Sequence, residues 1–256
     1  MPSYHFDGMH PFLGIYVGPG GVVGILKELI IENHLPPCIL VGIGYEGNIN
    51  AQRDRDFRND RIPFYNFVKH ELIPFVENTY CTNFTDRTLL GHSLGGTFTS
   101  YCLFQYNSSS SSLFKRFVTL SGNYQTHVFD ALASESAMYE RLSNIPNPSL
   151  EVSVFLAVGE LDDPLFVSGN VNLTNRLNSR NYEDLRFFGK IYENFGHGSV
   201  VRPGFTDGLK WVFSDEKWDT DANTTNYADY GIFVILFLNI IIRLKETFLL
   251  SRNKNP

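Results

Sequence analysis

Cysteine is scarce. Cys38, Cys81 and Cys102 are the three in 256 residues, and no C-x-x-C occurs. That spacing excludes a zinc ribbon or a thioredoxin-type dithiol. Cys38 and Cys102 lie in apolar stretches and are expected to act as small buried hydrophobes. Basic clusters are missing too. Lys and Arg total 21 against 27 acidic residues, a formal charge of −6, which argues against a nucleic-acid surface. The chain does not open with basic residues followed by an apolar run. No secretory signal is therefore read, and a cytoplasmic location is expected. N-x-[ST] sequons at Asn83, Asn107, Asn172 and Asn223 are then read as chance. Gly231 to Ile242 is apolar except for Asn239, but its twelve residues fall short of the ~20 needed to span a bilayer.

What the chain does have is enough length for one large α/β domain. Short β-branched runs without polar breaks alternate with amphipathic segments. Cys38 to Gly44, Arg87 to Gly91, Phe117 to Leu120, Val152 to Val158 and Arg186 to Tyr192 read as strands buried on both faces. Val22 to His34, Leu94 to Cys102, Phe129 to Leu142, Val171 to Leu177 and Gly208 to Phe213 read as helices. Phe64, Phe67, Val68, Leu72, Phe75 and Val76 predict an apolar helical stripe, with Pro74 kinking or restarting the helix. Tyr45 to Pro63 is polar and arginine-rich and reads as a long functional loop. This alternation predicts a mainly parallel sheet covered by helices on both faces, with function at the carboxyl ends of the strands. Residues 1–214 are assigned to this domain and 215–256 to a linker and an apolar helix. That helix is expected to pack on the core or on a partner. Membrane association through it and an aberrant terminus are the alternatives.

Gly91-His92-Ser93-Leu94-Gly95 is a G-x-S-x-G between a strand and a helix. Such a turn lifts a serine hydroxyl out of the backbone and opens it to a base and a substrate. The pentapeptide is too short to stand alone. A nucleophilic serine needs a base, and the base needs an orienting acid, here in the chain order Ser, Asp/Glu, His. After Val152 to Val158 comes Gly159-Glu160-Leu161-Asp162-Asp163. Asp162 is the first candidate acid, Glu160 the second and Asp163 the third. After Arg186 to Tyr192 comes Gly196-His197-Gly198, where His197 is the candidate base. His92 is expected to shape the turn and to border the substrate, since neighbouring side chains in a tight elbow point apart. The Leu94 N–H is one expected oxyanion donor, at a helix N-terminus whose dipole helps. The Met9 N–H, in the early Phe6-Asp7-Gly8-Met9 loop, is the other.

These blocks together resemble the α/β-hydrolase esterase branch that includes esterase D and the ferric-siderophore, enterobactin-type esterases. Phe6-Asp7-Gly8 is similar to that family's "LDG". Residues 37–45 (PCILVGIGY), 53–57 (RDRDF), 71–77 (ELIPFVE), 87–98 (RTLLGHSLGGTF) and 196–200 (GHGSV) are similar to its later blocks. The resemblance covers roughly residues 5 to 213. It implies an α/β-hydrolase fold, a serine esterase needing no cofactor or metal, and a small-molecule ester as substrate. It also implies Ser93 as nucleophile, His197 as base, and Arg53 and possibly Arg55 at the edge of the pocket. The family carries strands before "LDG", so a sheet smaller at one edge, or a fragment, is expected. Acyl transfer by the same triad and a non-catalytic ligand- or partner-binding relative are the rival readings.

Overall fold

The computed structural model describes residues 21–43, 48–80, 82–107, 112–144, 149–214 and 231–236. Six parallel strands form one sheet: β1 (Cys38–Gly42), β2 (Arg87–His92), β3 (Arg116–Leu120), β4 (Ser153–Gly159), β5 (Arg186–Tyr192) and β6 (Gly231–Leu236). Their order across the sheet is β1-β6-β2-β3-β4-β5. The helices are α1 (Gly21–Ile31), α2 (Ile49–Asp54), α3 (Arg61–Phe67), α4 (Ile73–Thr79), α5 (Leu94–Leu103), α6 (Ala131–Ser143), α7 (Pro164–Ser179) and α8 (Val201–Val212). All five strands expected between residues 38 and 192 are present, each within a few residues of its expected bounds.

The strands are apolar on both faces because the sheet is covered on both. One core joins Leu89, Phe117, Val154 and Leu156 to Phe57, Val68, Phe98, Met138 and Leu173. The other joins Leu90, Val118, Leu120, Phe155 and Ala157 to Val22, Ile25, Val201, Phe205 and Leu209. Neighbours in the chain alternate between the two cores, as the period of two requires. Cys38 and Cys102 are both buried free thiols, as expected. Burial raises the Cys38 thiol to about 12, with the nearby Asp86 charge adding to the rise.

Three expectations need correction. The stretch read as a loop from Tyr45 to Pro63 is largely helical from Ile49 onward. Asn48 caps α2 by accepting the Ala51 N–H at 3.2 Å, and a π-helical turn over Arg55–Asn59 carries the chain to Asp60. Polar composition hid it, because this helix buries little besides Arg53, Asp56 and Phe57. Second, the apolar stripe fails at Phe75, although Pro74 restarts its helix as expected. A π-helical turn over Val68–Leu72 precedes it and places Pro74 in the first turn of α4, where its missing N–H costs nothing. The extra residue in that turn shifts the stripe, so Phe75 is solvent-exposed while Ile73 is buried.

Third, the expected apolar helix in the tail contains a strand. β6 lies between β1 and β2, parallel to both, with Leu40 and Thr88 flanking Phe233. A twelve-residue apolar run fits a buried strand and a buried helix equally well by periodicity alone. Position in the sheet decided it. The last described strand in sequence thus lies inside the sheet, not at its edge. Among the described residues no helix is long and apolar enough to cross a membrane.

Candidate active site

β2 runs into α5 through Ser93, which has φ 59° and ψ −125°. A non-glycine residue there is strained, at a cost on the order of 1–3 kcal/mol, and such strain is held only where the surroundings enforce it. Here they do. The Ser93 N–H donates to the Leu120 carbonyl at 3.0 Å, and the Thr97 N–H donates to the Ser93 carbonyl at 2.9 Å. A Cβ on Gly91 would lie 2.2 Å from the Gly95 oxygen, and one on Gly96 would lie 2.8 Å from the Leu120 oxygen. Gly91 and the additional Gly96 thus permit the close turn. Leu94 is the first residue of α5, so its N–H is among those the helix itself does not satisfy. Met9 lies outside the described residues.

The three carboxylates after β4 separate into three tasks. Asp163 caps α7, accepting the Leu165 N–H at 2.8 Å ahead of Pro164. Glu160 accepts the Asn194 N–H at 2.9 Å. Asp162 meets the His197 ring, its two oxygens 3.0 and 2.9 Å from Nδ1. Burial alone would raise the Asp162 pKa. The hydrogen bond from His197, the nearby Ser121 hydroxyl, the His197 charge and the Asp163 N–H outweigh burial and hold it below its ordinary value. The Ser121 hydroxyl is buried beside the carboxylate without a hydrogen bond of ordinary geometry. Ser121 itself has φ 47°, a second strained residue at a strand end.

The loop bearing His197 leaves the edge strand β5 and folds back across the strand ends. The Leu161 N–H reaches the Phe195 carbonyl at 2.8 Å, beside β4. The His197 carbonyl then meets His92 Nε2, at the end of β2, at 2.8 Å. The His92 and His197 rings are 4.5 Å apart, and Phe166 stands edge-on to His197 at 5.2 Å. His197 keeps 38% of its side chain exposed while the Asp162 side chain keeps 3%. The strand-end loops thus bring Ser93, Asp162 and His197 into one region.

His92, expected to shape the turn and to border the substrate, is the residue directly before Ser93. It is 2% exposed, beneath the turn, with Nε2 engaged by the loop. Burial, aided by the nearby His197 charge, lowers its pKa to about 3. Arg53 is buried, and its charge is felt at His92, which places it near the elbow. Arg55 forms a two-pronged pair with Asp56, at 2.6 and 2.9 Å. The role of Asp163 was legible in principle, since an aspartate directly before a proline is a helix-start signal. The link from His92 spans 105 positions, and no local signal announces it.

A parallel sheet with helices on both faces, a strained serine elbow and a histidine–carboxylate pair at the strand ends define an α/β-hydrolase. Residues 3–198 match the family described as "Putative esterase", and the chain belongs to that family. It is a carboxylic-ester hydrolase. No curated protein matches the chain. The fold is similar to that of the BES protein from Bacillus cereus, 27% identical over 75% of this chain and 76% of that one, with a TM-score of 0.64. The IroE-like serine hydrolase from Shewanella oneidensis is 23% identical, with a TM-score of 0.51. That match covers 62% of this chain and 49% of the other, so this chain spans about half of that relative's length. The feruloyl esterase module from Clostridium thermocellum is 19% identical over 76% of this chain and 70% of its own, with a TM-score of 0.53.

Proposed function

We propose that this chain hydrolyses small carboxylic esters through an acyl-serine intermediate, with Ser93 as nucleophile, His197 as base and Asp162 as the orienting acid. The observation carrying this reading is the pairing of both Asp162 oxygens with His197 Nδ1. That bond fixes the proton on Nδ1 and leaves Nε2 as the acceptor, the tautomer a general base requires. The Ser93 Oγ bonds to the ester carbon as its proton passes to His197 Nε2. The Leu94 N–H supports the oxyanion. The tetrahedral adduct expels the alcohol, which takes the proton from Nε2. Water then attacks the acyl-serine by the same route, with His197 again as base, and frees the acid. Asp162 holds the imidazolium throughout and stays ionised. Arg53 borders the pocket in this reading, and its buried charge beside the elbow supports that placement.

The test is labelling by a fluorophosphonate probe together with turnover of a short-chain 4-nitrophenyl ester. Labelling at Ser93, and loss of both signals in Ser93→Ala, support the mechanism. Turnover unchanged in Ser93→Ala would overturn it.

A further inference from the structure

We propose that His92 is a positioning residue, whose Nε2–H holds the main-chain carbonyl of His197 and so fixes the base against the nucleophile elbow. This rests on the reading of His197 as the base. A carbonyl oxygen only accepts, so the 2.8 Å contact requires the proton of His92 to sit on Nε2. The His92 side of this contact is 2% exposed, so water is poorly placed to substitute for the donor.

The geometry explains why such a tether is needed. The loop carrying His197 starts at β5, the sheet edge farthest from β1, whereas Ser93 follows β2. Glu160 and Leu161 secure the loop at Asn194 and Phe195, both beside β4. Asp162 holds the ring at Nδ1. A ring held only at Nδ1 can still pivot about that bond and carry Nε2 away from Ser93. The His92 bond fixes the backbone end of the same residue, and the ring contact at 4.5 Å limits the pivot. The residue is then held at its backbone and at its ring.

The choice of histidine also has a reason. The donor must not carry charge, because a permanent cation beside His197 would oppose the imidazolium that forms during catalysis. Burial keeps the His92 ring neutral at working pH. A lysine or arginine would supply the hydrogen bond together with that opposing charge.

His92→Phe keeps a ring and removes the donor. His92→Gln replaces the donor at similar reach. With wild-type Ser93 labelled by the fluorophosphonate probe, His92→Phe is expected to lower kcat on 4-nitrophenyl acetate about 10- to 100-fold, because a base displaced by a fraction of an ångström loses alignment. KM should stay within about twofold, and His92→Gln should recover most of the loss, because the altered step is proton transfer and not binding. The downfield Nδ1–H proton signal of His197 should persist in His92→Gln and broaden or vanish in His92→Phe. Unchanged kcat in His92→Phe, with Ser93 still labelled in the wild type, overturns the proposal and leaves the mechanism standing. Absence of labelling in the wild type removes the mechanism and the proposal with it. If His92→Phe does not fold, nitrogen-15 spectra of the wild-type imidazoles decide. A proton on His92 Nε2 supports the tether, and one on Nδ1 overturns it.

Discussion

Glu160 and Asn194 are joined by a 2.9 Å hydrogen bond from the Asn194 N–H to the carboxylate, three positions ahead of the histidine that Asp162 holds. Two carboxylates on one turn thus act on one loop, Glu160 on its backbone and Asp162 on its imidazole. Their losses should differ in kind. Asp162→Asn should lower kcat by roughly 10³- to 10⁴-fold, because it offers the imidazole the wrong tautomer. Glu160→Gln retains an acceptor oxygen and should cost less than about tenfold. Steady-state kinetics of the two variants on one ester make the comparison. Equal losses would reassign the acid.

Gly159 and Gly196 should answer differently to a methyl group. A Cβ on Gly159 would lie 2.3 Å from the Phe195 carbonyl oxygen, which is backbone and cannot rotate away. Gly159→Ala should destabilise the fold by about 1–3 kcal/mol and displace the base loop. The nearest neighbour of a Cβ on Gly196 is 3.5 Å away, an ordinary contact. Gly196→Ala should stay within about 0.5 kcal/mol of wild type in urea unfolding. A glycine beside the base is thus a weaker requirement than one under the loop's carbonyl.

His92 should leave a mark on stability as well as on rate. Its folded pKa, about 3, lies below the ~6.5 of an unfolded histidine. Between those values the unfolded chain takes up a proton that the folded chain refuses. The His92 contribution therefore falls as pH drops below about 6.5, with a slope approaching 1.4 kcal/mol per pH unit, and levels off below about 3. The groups acting on the ring are His197, Asp162 and Arg53. His92→Gln should flatten the stability–pH curve across that window relative to wild type. Denaturant midpoints at pH 7, 6, 5 and 4 measure it, and parallel curves would contradict the burial of a neutral ring.

The last strand should be as indispensable as a central strand. Val234 is paired with Val41 on one side and Leu89 on the other. Val234→Pro removes a ladder donor in the sheet interior and should cost about 3 kcal/mol or more. Tm should fall by roughly 6–12 °C in a domain of this size. A thermal melt within 1–2 °C of wild type would show that the pairing contributes little (about 0.5 kcal/mol or less).

The placement of Ser93, Asp162 and His197 after β2, β4 and β5 was legible because each follows a strand whose apolar run is plain in the sequence. The sequence ranked Asp162 ahead of Glu160, and the hydrogen bonds put Asp162 on the His197 ring and Glu160 on the Asn194 N–H. Arg53 and Asp56 looked like loop residues because the helices bearing them are short, polar and interrupted by a π-helical turn. Glu135 gave no signal either. It is fully buried in α6, held by Tyr182 at 2.6 Å and by Arg180 at 3.0 Å, partners more than forty positions away. Periodicity reports which face of an element is apolar. It says nothing of polar contacts made across the fold.

The placing of β6 bears on how the protein is made. More than half of the chain separates the end of β2 from the start of β6. At a ribosomal pace of 5–20 residues per second, β2 waits on the order of ten seconds with its backbone groups bare on one side. Over the same interval β1 and β2 have no strand between them. A nascent chain in this condition presents a long adhesive edge to its surroundings, so the yield of folded enzyme in a cell should depend on chaperone supply more steeply than its finished stability suggests.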